Sequence, residues 1–76
     1  MDARDVLEAY GVPCGVLEPM MKARMRDLET GEVLEVRSDD PGAPAGIPSW
    51  SRLTGHTLVR VQDDPNGFTS YFLRHR

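Results

Sequence analysis

Apolar positions along this chain change their period several times, and each change marks an element. Arg4 to Tyr10 is a short mixed run that reads as a first strand, although its spacing also suits the start of a helix. Gly11 and Pro13 break it. Leu17, Met21, Met25 and Leu28 then recur at helical spacing, with Lys22, Arg26 and Glu29 off that stripe. Pro19 suits a first helical turn, where a missing N–H costs nothing, so the expected helix runs from Met20 to Leu28. Thr30-Gly31 stops it. Glu32 to Ser38 alternates, with Leu34 and Val36 on one face and Glu35 and Arg37 on the other, the pattern of a half-buried strand.

Asp39-Asp40-Pro41-Gly42 is a strong break, and the two acids are expected to cap a turn or the next helix. Ala43 to Gly46 reads as loop or as a first helical turn. Ile47, Trp50 and Leu53 follow at helical spacing, and Gly55 closes that second helix. His56, just beyond it, is expected to favour the helix C-terminus as a cation. Thr57 to Gln62 is a third strand, Asp63 to Gly67 a turn carrying the Asn-Gly hairpin signal, and Phe68 to Arg74 a fourth strand. His75 falls in a tail expected to fray.

Strand, helix, strand, helix, strand, strand is too short a list for more than two layers. The predicted fold is α+β, a two-layer sandwich with both helices on one face of a mixed four-stranded sheet. A helix between the first two strands favours a parallel, right-handed pair, and the last two strands form an antiparallel hairpin. The other sheet face is left to solvent or to a partner. Residues 1–76 read as one domain with no repeat and no linker.

Composition narrows the function. A chain of 76 residues buries roughly 60–65 % of its unfolded surface, enough for a small core but not for a large substrate cavity. Apolar residues at 39 % and charged residues at 28 % belong to a folded globule. Twelve acids against nine bases, net −3, argue against a nonspecific nucleic-acid binder. Tyr71 and Phe72 alternate across the fourth strand and so form no stacking platform for RNA. One cysteine cannot make an internal disulfide, and Met1 to Asp5 opens charged with no apolar run after it, so a reducing, cytoplasmic setting without leader or membrane span is expected. His56, His75 and Cys14 lie too far apart for a familiar zinc spacing, and neither a metal nor a cofactor is expected.

Cys14 is the residue with chemistry. It stands just before the first predicted helix, where unpartnered N–H groups and the positive end of the macrodipole favour a thiolate. A free cysteine is also a common buried hydrophobe, and its local surroundings alone leave both readings open. Met20, Met21, Met25 and Trp50 are expected to be core rather than a partner surface. Arg4, Lys22, Arg24 and Arg52 are candidates to hold an anion at Cys14 or to dock an acidic partner patch.

Several blocks of this text resemble the TusA/SirA-like family of small sulfur carriers. They are Gly31-Glu32-Val33-Leu34-Glu35-Val36, Asp39-Asp40-Pro41, Ile47-Pro48-Ser49-Trp50 and Thr54-Gly55-His56, together with Gly11-x-x-Cys14. The resemblance covers the chain from about Glu8 onward. It implies a carrier that takes sulfane sulfur as a persulfide on Cys14 and yields it to an acceptor thiol. The donor would be a cysteine desulfurase or a rhodanese-like protein, and the acceptor a sulfur-relay protein. Gly11, Gly15, Glu18, Lys22 and Arg52 are the positions expected to touch substrate or partner.

The chain departs from the family pattern in places. The usual motif is Cys-Pro-x-Pro. Here Gly15 follows the cysteine and the next proline is Pro19, so aligning Glu18-Pro19-Met20 with the motif's end inserts two residues. Glu8 and Tyr10 stand where the family has an acid and an arginine, and Ser51 where a second cysteine is common. These departures motivate the alternative, a noncatalytic interaction module that keeps the fold and has lost sulfur transfer.

Overall fold

A computed structural model describes residues 3–76, apart from the side chain of Cys14. Six elements follow the predicted order: β1 (Asp5–Ala9), α1 (Cys14–Arg26), β2 (Val33–Ser38), α2 (Ala43–Thr54), β3 (Thr57–Asp63) and β4 (Thr69–Arg74). The sheet runs β1-β2-β4-β3, with β1 and β2 parallel and the remaining neighbours antiparallel. The hairpin therefore places β4 in the middle and β3 at an edge, where it carries a register shift between Leu58 and Arg60.

One face of the sheet holds the core. Leu7 and Ala9 from β1, Leu34 and Val36 from β2, and Tyr71 and Leu73 from β4 pack with Leu17, Met21 and Met25 of α1 and Ile47 and Trp50 of α2. The period-two and period-3.6 patterns meet there, as the alternation of β2 and the methionine stripe require. The opposite face carries Glu35, which takes Arg37 Nε at 2.6 Å and the Ser70 hydroxyl at 3.1 Å. Phe72 lies on that face yet is only 7 % exposed, flanked in register by Glu35 and Arg60.

Four expectations change. Helix α1 begins at Cys14 rather than Met20 and ends at Arg26, so Pro19 is internal instead of first-turn. The proline forfeits one bond to the Gly15 carbonyl, a loss α1 absorbs because the stripe on either side is buried. Leu53 is 86 % exposed rather than core. Counting from Ile47, positions 50 and 51 continue the inward face, and 53 has rotated out by most of a half-turn; Ser51 takes the buried place and donates to the Pro48 carbonyl. His75 does not fray: its N–H donates to the Glu32 carbonyl and its carbonyl accepts from Gly31, which ties it beside the start of β2. His56 is not a helix-capping cation. Partial burial first, then His75 and Arg76, lower its pKa below the ordinary 6.5, and its Nδ1 accepts the Arg76 N–H at 3.2 Å.

Candidate functional site

Parallel pairing decides where Cys14 sits. β1 and β2 point the same way and each leads into a helix, so both helices start at one end of the sheet. The β3–β4 turn reaches the same end, because Thr69 pairs with Ser38 at the close of β2. Three loops thus converge there: Tyr10–Pro13, Asp39–Gly42 and Asp64–Phe68.

The loop before Cys14 is set by backbone geometry. Gly11 adopts φ +70°, a left-handed conformation that a side chain would strain. Its N–H donates to Asp39 Oδ1 at 2.8 Å, which staples the loop to the turn after β2. Asp40 makes the turn itself, accepting the Gly42 N–H at 2.9 Å. The Asp pair was expected only to cap locally; the long-range role of Asp39 had no sequence signal, since it depends on β1 and β2 being neighbours.

At the start of α1 the Pro13 carbonyl accepts from Val16 and Leu17, and Pro13 has no side-chain acceptor to cap the amides before them. The Gly15 N–H meets no acceptor among the described residues. The first turn holds no acidic side chain. Backbone position 14 is therefore the first residue of a helix whose positive end carries no competing carboxylate, a setting that stabilises a nearby anion. Gly15 to Glu18 are all helical, so the extra residues before Pro19 lengthen α1 rather than move its start away from position 14.

Apolar surface rims this end. Tyr10 and Val16 are 43 % and 55 % exposed. Tyr10 lies 5.2 Å from the Phe68 ring, and the Arg37 guanidinium stands 5.8 Å above Phe68. Hydrogen bonds to Glu35, then Tyr10, raise the Arg37 pKa further, so it is always a cation. Tyr10, Asp39, Asn66, Gly67 and Phe68 line a shallow pocket of about 320 Å³. Phe68 and Asn66 were read only as hairpin residues; their place at the site follows from the turn folding back beside β2.

The other sequence-predicted residues divide. Gly11, Gly15 and the exposed Glu18 stay with Cys14 on the loop and the first turns of α1. The candidate cations do not gather there. Arg4 pairs with Glu32 at 3.2 Å and Arg24 with Asp5 at 3.2 Å, both near the starts of β1 and β2. Arg52 sits in the last turn of α2 against Ser49, and Lys22 lines a groove at the far end of the helices. Among the described residues no group of three or more His, Cys, Asp or Glu is placed to hold a metal. No helix among them is long and apolar enough to cross a membrane.

A mixed four-stranded sheet, two helices on one face and a cysteine opening the first helix define a small two-layer α+β domain with a thiol residue at a helix start. The profile of the family described as "Sulfurtransferase TusA" matches residues 5–75, and the chain belongs to that family. It is 36 % identical to "Putative sulfur carrier protein YrkI" of Bacillus subtilis over 84 % of this chain and 85 % of that protein. It is 43 % identical to "Putative sulfur carrier protein YrkF" of the same organism over 97 % of this chain. A "Putative sulfur carrier protein" of Aquifex aeolicus is 34 % identical over 86 % of it. The chain spans only 40 % and 33 % of the length of the YrkF and Aquifex proteins.

Proposed function

We propose that this protein carries sulfane sulfur on Cys14. The observation that supports the reading most is that Cys14 is the first residue of α1, in the family whose relatives are named as sulfur carriers. The Cys14 thiolate attacks the terminal sulfur of a donor persulfide. The donor's S–S bond breaks, a new one forms at Cys14, and the donor leaves as a thiolate. An acceptor thiolate then attacks the outer sulfur and regenerates the Cys14 thiolate. Each step exchanges one S–S bond for another, so no external oxidant or reductant is needed.

Each neighbour has a role in this scheme. The uncapped amides at the helix start favour the thiolate and the hydropersulfide anion. Gly11 and Asp39 hold the loop that leads into the helix start. A Cβ at Gly15 would meet nothing within 4 Å, so that position leaves open space beside the cysteine for a partner's own thiol. Tyr10, Val16 and Phe68 offer apolar contact to the docking protein, a cysteine desulfurase or rhodanese-like donor or a relay acceptor, in the cytoplasm. Glu18 is exposed one turn further along α1.

Incubation with a persulfide-loaded donor, followed by intact mass, tests the proposal. The native chain is expected to gain one sulfur atom that dithiothreitol removes. A native chain that gains none while YrkI does under the same conditions overturns it.

A further inference from the structure

A surface concavity larger than the pocket beside Tyr10 lies away from Cys14. A groove of about 610 Å³ opens at the other end of the molecule, where both helices finish and the chain passes beyond β4. Lys22, Arg26 and Arg76 stand around it and no aspartate or glutamate lines it. None of the three pairs with a carboxylate among the described residues, whereas Arg4, Arg24 and Arg37 all do. This is a concentrated positive site on a chain whose net charge is −3. Arg26 in part answers the negative end of α1. Lys22, a turn earlier, and Arg76, whose aliphatic stem lies over Gly55, are surplus to that need. Between the cations lies apolar surface: Met25, the edge of Trp50 and Leu53, which helical rotation has turned almost wholly into solvent.

We propose that this groove docks an acidic segment of a partner protein that carries an apolar anchor residue. Separated cations with no aspartate or glutamate side chain among them call for several carboxylates on one chain, and an apolar floor calls for a side chain that a simple anion lacks. The site lies a full helix length, on the order of 20 Å, from position 14. A partner held there leaves the helix start and its loop uncovered. The proposal stands independently of sulfur transfer at Cys14.

Trp50 is the only tryptophan and reports directly on the groove. The test titrates the whole protein with a short acetylated peptide that alternates glutamate and leucine, following Trp50 emission and backbone amide shifts. Saturable binding is expected, with shifts centred on Trp50 and Leu53. Arg26→Glu and Arg76→Glu should each weaken it by about 10-fold or more, and Leu53→Ser by several-fold, with circular dichroism unchanged. These are surface positions, so the variants are expected to fold. Four outcomes overturn the proposal: equal binding of an all-glutamate peptide, binding of the lysine–leucine counterpart, shifts centred on the Gly11–Gly15 loop, or affinity only for phosphatidylserine vesicles. Indifference to both arginine reversals overturns it as well.

Discussion

The two ends of this molecule are built by different means from the same two helices. At the end where α1 and α2 begin, backbone does most of the shaping: a left-handed Gly11, an uncapped helix start and the Gly11–Asp39 staple. At the end where they finish, side chains do it: a tilted and edge-on series of Trp50, His56 and His75 rings, three cations with no carboxylate partner among the described residues, and one outward leucine. Parallel strands with returning helices separate positive helix ends from negative ones. That arrangement suits anion chemistry at one end without assistance from basic side chains, and it leaves those side chains free at the other.

The sharpest way to break this division is at Cys14. Cys14→Ser should abolish sulfur gain in intact-mass measurements while leaving peptide binding at the far groove unchanged; a loss of both would show that the ends are not independent. Next in size is a cut beneath both. Met21 is fully buried on the inner face of α1, and Met21→Ala should cost about 2–5 kcal/mol in denaturant unfolding. A cost below about 1 kcal/mol would mean that α1 is not fastened as its burial implies.

Gly11→Ala forces a side chain into φ +70° and should cost roughly 1–2 kcal/mol, with slower sulfur loading. Asp39→Ala removes the staple for about 1 kcal/mol and should slow loading in the same direction. If loading rates for both match the native chain, the loop geometry has no bearing on transfer. Gly15→Ala works the other way. The site is helical and open, so stability should rise by up to about 1 kcal/mol, while loading from a protein donor falls more than loading from a small persulfide.

The smallest effect belongs to the far end and to pH. Burial, then His75 and Arg76, lower the His56 pKa in the folded state. Protonation therefore favours the unfolded chain. The stability is present above the ordinary value of 6.5 and is lost as pH falls through the lower folded value. Thermal midpoints between about pH 8 and pH 5 should decline less for His56→Gln than for the native chain; parallel curves would remove His56 from the account.

Local patterns carried much of this protein. The alternation of β2, the Leu17–Met21–Met25 stripe, the closing Gly55 (φ +83°) and the Asn66-Gly67 turn each act over a few residues, and the six elements and their layering followed from them. The blocks around Gly31, Asp39 and Ile47 carried the family as well. Where local signals compete, tertiary packing decides between them. Pro19 looked like a helix start because a proline's N–H is missing anywhere, and only the burial of α1 on the sheet shows that the loss is tolerated inside it. Leu53 looked like core because three-residue spacing resembles a stripe until the drift to 3.6 is counted.

What the chain text determined by itself was the order of elements, the sheet-facing residues and the position of the one thiol, all short-range properties of residue type and spacing. Tertiary structure alone decided that Asp39 holds Gly11, that Phe68 stands beside Tyr10, and that Arg76 joins the Lys22–Arg26 face of α1. Those contacts join residues far apart along the chain. They exist only because strand pairing brings loop ends together and helix packing sets which end each cation reaches.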